Sequence, residues 1–203
     1  MNFFKINTKN YLNRIFIVSD MENLFFLREY LKDKNIASVI PSSPSTVKKV
    51  CSKIDFSKKN VIVEYGPGTG VFTRHLLERM NPESKLILIE TNRNFVSLLR
   101  NIDDPRVFVF NDSAANIKKI LKLCNEDNAD YIISGIPFSY LNDSLKSDII
   151  GKSKDVLSED GKFLVYQFVN GIKKNLEQYF EFVQTDFSLF NIPPLHIFEA
   201  FKD

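Results

Sequence analysis

Cysteine is scarce: Cys51 and Cys124 are the only two in 203 residues, and no metal-ligand spacing or CxxC motif joins them. That argues against a disulfide-built scaffold and a zinc site, and it leaves both thiols as small core hydrophobes in a reducing, intracellular setting. No apolar run reaches the roughly 18 residues that a membrane span needs. The N-terminus lacks the unbroken apolar core of a signal peptide, because Lys5, Lys9 and Arg14 interrupt it. Charge of one sign is also nearly absent overall: the net value of +2 is too small to imply nucleic-acid binding by itself. No internal repeat or low-complexity linker divides the chain. Histidine is limited to His75 and His196, and neither sits in a pattern that marks a general base.

What remains is an ordinary globular composition, 44% apolar and 26% charged, long enough for one α/β domain with a full core. The charge is unevenly placed. Residues 1–60 hold eleven Lys or Arg against five acids, a net +6, which leaves −4 for the rest. Glycine is sparse at 7 residues, yet three of them fall at every second position in Val61-Ile62-Val63-Glu64-Tyr65-Gly66-Pro67-Gly68-Thr69-Gly70. The β-branched run reads as a buried strand. Val71 to Met80 follows with helical apolar spacing. Strand, glycine turn and helix make the nucleotide-cradling opening of a Rossmann-like sheet, where a ligand lies directly against the main chain. The spacing is G-x-G-x-G, and Glu64 precedes it. A carboxylate there would repel a pyrophosphate and suit a ligand that carries an ammonium group.

Further strand ends are spaced to match. Lys85 to Ile89 is a strand that ends in Glu90, an acid placed to accept hydrogen bonds from ribose hydroxyls. Val107 to Phe110 ends in Asn111-Asp112-Ser113, and Tyr131 to Ser134 leads into Gly135-Ile136-Pro137-Phe138-Ser139. Asn142 to Leu157 is expected as a helix, Glu159-Asp160-Gly161 as a turn, and Lys162 to Val169 as the fifth strand. Phe180 to Phe190 and Leu195 to Phe201 are expected as a closing strand pair. Upstream, residues 3–18 and Met21 to Lys34, the latter capped by Asp20, read as amphipathic helices. Pro41-Ser42-Ser43-Pro44 ends that unit, and Thr46 to Ile54 is expected as the helix before the first strand. The organisation is thus an N-terminal helical extension, 1–45, and a doubly wound domain, 46–203.

The glycine segment resembles motif I of the class I S-adenosylmethionine-dependent methyltransferases, with Glu64, Gly66, Gly68 and Gly70 at the matching positions. A wider resemblance is to the bacterial phospholipid N-methyltransferases. It is carried by Phe26-Leu27-Arg28-Glu29-Tyr30-Leu31, Val39-Ile40-Pro41-Ser42-Ser43, the run from Glu64 to Phe72, Ser134-Gly135-Ile136-Pro137-Phe138, and Asn191-Ile192-Pro193-Pro194-Leu195-His196-Ile197-Phe198. Motif I is shared with the rRNA adenine dimethyltransferases. These resemblances imply a Rossmann-like, doubly wound seven-stranded sheet with helices on both faces, and S-adenosyl-L-methionine as the cofactor. They place Asp112 on the adenine amino group and the backbone amide of Ser113 on a ring nitrogen. They put Ser134, Phe138 and Tyr140 near the reacting centre, Ser134 within reach of the cofactor as well.

The resemblance further implies methyl transfer to the amine of phosphatidylethanolamine or its methylated forms at a membrane surface. An interfacial role for the basic, Phe-rich N-terminus would serve that reaction, with Lys5, Lys9 and Arg14 drawn to anionic lipid and Phe3, Phe4 and Phe16 as apolar anchors. The expected location is the cytoplasm, peripheral on the inner face of the membrane. Three alternatives stay open: an RNA adenine N6-methyltransferase, weakened because Ser134 replaces the asparagine or aspartate that grips a planar amine; a small-molecule amine methyltransferase; and a binding module without catalysis. No metal is expected.

Overall fold

The computed structural model describes residues 43–188 and 194–202. The helices expected over 3–18 and Met21 to Lys34, the membrane role assigned to them, and Asn191 to Pro193 lie outside these residues. Ser42–Asp203 forms one compact unit.

Its first element is helix α1, Pro44–Cys51, which starts two residues before the expected Thr46. Ser43 caps it by accepting from Thr46 N at 3.2 Å, and Pro44 occupies the first turn, where its missing N–H leaves no bond unmade. Five parallel strands follow: β1 Val61–Tyr65, β2 Lys85–Glu90, β3 Val107–Asn111, β4 Ala129–Ser134 and β5 Leu157–Gln167. Two antiparallel additions, β6 Phe182–Ser188 and β7 Leu195–Phe201, complete a seven-stranded sheet in the order β3-β2-β1-β4-β5-β7-β6. The Rossmann-like fold class expected from the sequence is therefore observed, as a mixed sheet. Every residue of β1 is buried, as expected for a central strand covered on both faces.

The two faces are distinct. Val63, Tyr65, Ile132, Phe163 and Val165 point to α4, Ile117–Leu123, and α5, Asp143–Val156. Ile62, Ile133 and Leu164 point to α1 and to α2, Val71–Leu77, joined by Leu99 from α3, Arg93–Leu99. Both cysteines are buried among these apolar side chains, as expected, and burial pushes the Cys51 thiol up to about 12. Among the described residues no helix is long and apolar enough to cross a membrane.

Both expected ends of β5 are wrong. Glu159-Asp160-Gly161 is not a turn before β5 but a bulge inside it: Ala129 pairs with Leu157, and Tyr131 next pairs with Lys162. Gly161 permits the bulge, since a Cβ there would lie 2.8 Å from the Ser158 carbonyl oxygen. β5 also stops at Gln167, short of the expected Val169. Helices α3 and α4 and the short helix α6, Lys173–Leu176, were not anticipated.

Candidate active site

The chemistry gathers at the carboxyl ends of β1, β2, β3 and β4, the edge at which open α/β sheets bind ligands. The turn after β1 is built by Gly66, Gly68 and Gly70 at φ of 64°, 58° and 81°, a region that side-chain-bearing residues rarely adopt. Gly70 ends the turn and starts α2, where an added Cβ would sit 3.1 Å from Leu99.

Glu64 lies directly beneath this turn with no exposed surface. One carboxylate oxygen accepts from the Thr73 hydroxyl at 2.7 Å. The other, Oε1, is buried without any hydrogen-bond partner, as is the Thr69 hydroxyl within the turn. Burial pushes the Glu64 carboxyl up to about 7, and the neighbouring Glu90 carboxylate adds to the rise. A half-satisfied buried carboxylate is expensive unless a cation completes it. The donor set at this point fits a ligand with an ammonium group.

Glu90, 7% exposed, is held at the tip of β2 by backbone amides. Gly68 N donates to Oε2 at 3.1 Å and Asn92 N donates to Oε1 at 2.8 Å. Thr91 bonds the same carboxylate through its backbone and its side chain, so a diol would share or displace these donors. Asp112 follows β3 and accepts on Oδ1 from Ser113 N and from Asn116 Nδ2, both at 2.7 Å. Those bonds, that of Asn116 foremost, hold its carboxyl below the usual range. Asp112 N in turn donates to the Glu90 carbonyl at 3.2 Å, which fixes the two acidic tips side by side. Ser113 caps the 3₁₀ turn at 114–116, accepting from Ala115 N at 3.2 Å.

The loop after β4 carries the other expected residues. Ser134 is fully buried, on the sheet face opposite to Glu64, and its hydroxyl accepts from Ile136 N at 3.2 Å, folding the loop on itself. Phe138 is 1% exposed and packs in the core with Tyr65, Ile149 and Ile172. Tyr140, two residues further round the same 3₁₀ turn, is 67% exposed. The structure thus brings Glu64, Glu90, Asp112 and the glycines together, and sends Phe138 and Tyr140 in opposite directions, one into the core and one into solvent. His75 lies 3.9 Å from Glu78 on α2, and His196 packs between Phe187 and Phe198; neither stands at the glycine turn. Among the described residues no group of three or more His, Cys, Asp or Glu is placed to hold a metal.

Sequence reasoning missed several supporting residues. Thr73 orients Glu64, Asn92 supplies an amide to Glu90, and Asn111 donates to the Glu90 and Thr91 carbonyls at 3.0 Å each. Asn92 carries a readable signal, since it caps α3. Thr73 has none beyond its spacing on α2.

Comparison with known proteins agrees with this fold. The sequence profile of the ribosomal RNA adenine dimethylase family matches residues 30–141, more than half of the chain. The ornithine lipid N-methyltransferase of Singulisphaera acidiphila is 28% identical over 179 residues, 86% of this chain and 93% of that protein. Among solved structures, a TehB-like SAM-dependent methyltransferase from Corynebacterium glutamicum superposes with a TM-score of 0.61 at 11% identity, covering 89% of this chain and 99% of that one. Magnesium protoporphyrin IX methyltransferase of Synechocystis, solved with bound SAM, gives 0.59 at 12% identity, over 78% and 77% of the two chains. At such identities the structural matches speak for the fold alone.

Proposed function

The chain belongs to the ribosomal RNA adenine dimethylase family and is an S-adenosylmethionine-dependent methyltransferase, and from that premise we propose that its acceptor is the primary or partly methylated amine of a membrane lipid. The observation that carries the proposal is the loop after β4. A planar aromatic amine needs an acceptor side chain aimed out of this loop and an aromatic ring exposed to stack on. Here Ser134 turns its hydroxyl to Ile136 N and Phe138 is sealed in the core; Tyr140 is exposed, but without the Ser134 acceptor the pair that would hold a planar amine is incomplete. An aliphatic amine needs neither. The similarity to an ornithine lipid N-methyltransferase over 86% of the chain supports the lipid as its carrier. Family membership does not decide against this, because one fold serves many acceptors.

When bound, S-adenosyl-L-methionine supplies a methyl group on a positively charged sulfur. The chain's part is to hold the acceptor nitrogen in line with that carbon; proximity and alignment supply most of the rate. Glu64 would take the cofactor's ammonium, Glu90 its ribose hydroxyls, and Asp112, to whose Oδ1 the Ser113 amide already donates, the adenine amino group. The acceptor must arrive as the neutral amine, since only then does its nitrogen hold a lone pair. We further propose that the enzyme works peripherally at an anionic membrane surface on the cytoplasmic side, through its basic N-terminal segment.

The test is transfer of labelled methyl groups to liposomes containing phosphatidylethanolamine, to liposomes containing ornithine lipid, and to total RNA in parallel. Label in a lipid extract is expected, and the two headgroups then rank the substrates. Label in RNA alone would overturn the proposal and make the Ser134 loop a variant base-binding loop.

A further inference from the structure

Glu64 occupies a row of the sheet that runs Glu64, Ile133, Leu164 across β1, β4 and β5. Side chains two residues further along parallel strands point to the same face. The next row on the Glu64 face is therefore Gly66, Gly135 and Tyr166. Two of its three positions have no side chain. Tyr166 fills the space they leave: a Cβ on Gly135 would overlap the Tyr166 hydroxyl, would lie 3.0 Å from the ring carbon that bears it, and would lie 3.3 Å from the Gly66 carbonyl oxygen. The hydroxyl thus stands over β4, roughly one strand spacing of ~4.8 Å from β1 and its glycine turn.

The ring is fixed. It stacks on Phe72 of α2 with centroids 4.4 Å apart and planes at 19°. Among the described residues the hydroxyl has no hydrogen-bond partner. Burial first, then the nearby Glu64, Cys51 and Glu90, raise its ionisation well above the ordinary range, so it stays a neutral phenol. The surroundings are therefore electronegative: the phenol oxygen and the Gly66 carbonyl oxygen both stand over Gly135, and the Glu64 carboxylate, whose Oε1 has no partner, is close enough to raise the phenol's ionisation. A carboxylate would be repelled there. An ammonium group carries three donors and can bond several such oxygens at once, each at about 2.8 Å.

We infer that the Tyr166 hydroxyl is a second acceptor for the cofactor's α-ammonium, gripping it from the β4 side while Glu64 grips it from β1, and that Gly135 lacks a side chain to let it do so. Tyr166 is then a binding residue for the amino-acid end of the cofactor. The inference concerns the cofactor only and is independent of which acceptor is methylated.

The test is calorimetric titration of the full chain with S-adenosylhomocysteine and with its deaminated analogue, neither of which can transfer a methyl group. For Tyr166→Phe, which keeps the ring on Phe72, affinity for S-adenosylhomocysteine is expected to fall roughly ten-fold, in line with loss of a hydrogen bond to a charged group. Affinity for the deaminated analogue and the melting temperature of the free protein are expected to stay at wild-type values. Gly135→Ala, which displaces the hydroxyl, is expected to show the same ligand-selective loss. Unchanged affinity in Tyr166→Phe, or equal losses for both ligands, would overturn the inference. So would a wild-type protein that binds the two ligands equally well, because nothing would then be gripping the ammonium.

Discussion

Glu64 and Glu199 stand in one row of one sheet. The row runs from Glu64 through Ile133 and Leu164 to Glu199, so both carboxylates face the same apolar layer. Their exposures are 0% and 5%. Their surroundings are opposite. Glu199 is matched by cations of its own chain: Lys53 Nζ at 2.7 Å on one oxygen and Lys162 Nζ at 2.9 Å on the other. Glu64 has a neutral threonine on one oxygen and nothing on the other. A buried acid that the fold satisfies holds the fold together, here by tying the segment after α1 to β7. A buried acid that the fold leaves half satisfied is a strain tolerated for a ligand. The pair is an internal control: same residue type, same row, same burial, different function.

The contrast should appear as substitutions of opposite sign. Glu199→Gln leaves Lys162 without its counter-charge and Lys53 with only Asp186, 3.8 Å away, in a largely enclosed site. Breaking one side of such a pair costs about 3–4 kcal/mol. The expected result is a loss of that size in urea denaturation, with affinity for S-adenosylhomocysteine unchanged. A fall in ligand affinity would show that the two carboxylates are coupled and would end their use as a control.

Glu64→Gln is expected to do the reverse. Burial raises the Glu64 carboxyl from 4.5 to about 7. The folded state therefore binds that proton more tightly than the unfolded chain does. The stability this gives is fully present below about pH 4.5 and is lost as pH rises through about 7. Glutamine keeps an acceptor for the Thr73 hydroxyl and carries no charge. The variant should match the wild type near pH 4 and exceed it by about 2–3 kcal/mol at pH 9 in the absence of ligand. It should also bind the cofactor at least ten-fold more weakly. Denaturation curves at the two pH values, with titration of S-adenosylhomocysteine, check both halves. A wild type as stable as the variant at pH 9 would mean that Glu64 is already satisfied.

The difference between the two glutamates also explains what the sequence made legible. Glu64, the glycines and Glu90 were readable because a local pattern, strand then acid then turn, specifies them within a few residues. Glu199 carried no signal, since its partners Lys53 and Lys162 are 146 and 37 positions away and meet it only through the register of β5 with β7 and the docking of α1. Tyr166 was invisible for the same reason: its place over Gly135 follows from pairings across three strands. Phe138 and Tyr140 show what a motif does not carry: a single 3₁₀ turn sends neighbours in opposite directions, one into the core and one into solvent. Glu159-Asp160-Gly161 misled because a bulge uses the same residues as a turn.

Asp112 sharpens the comparison from its weak end. It is neither paired with a cation nor left without a partner. Two neutral donors, Asn116 Nδ2 and Ser113 N, satisfy one of its oxygens, and it is only partly buried. Those donors hold its carboxyl below 3.8. The stability they give is present above that value and is lost as pH falls through the lower value of the folded state, the mirror image of Glu64. Asp112→Asn preserves an acceptor for the Ser113 amide and removes the charge. Because the site is open to solvent, the stability change at neutral pH should be below the resolution of a thermal melt, and the wild type's loss of stability below about pH 4 should be blunted in the variant. Binding of S-adenosylhomocysteine should fall by about three- to ten-fold, since a neutral amide oxygen is a weaker acceptor than a carboxylate for an exocyclic amine. That is smaller than the loss expected for Glu64→Gln, and it should stay the same for the deaminated analogue, because the proposed binding mode puts Asp112 at the adenine and not at the amino-acid end. A loss that vanished with the deaminated analogue would place Asp112 at the wrong end of the ligand and would reverse the orientation drawn from Glu64.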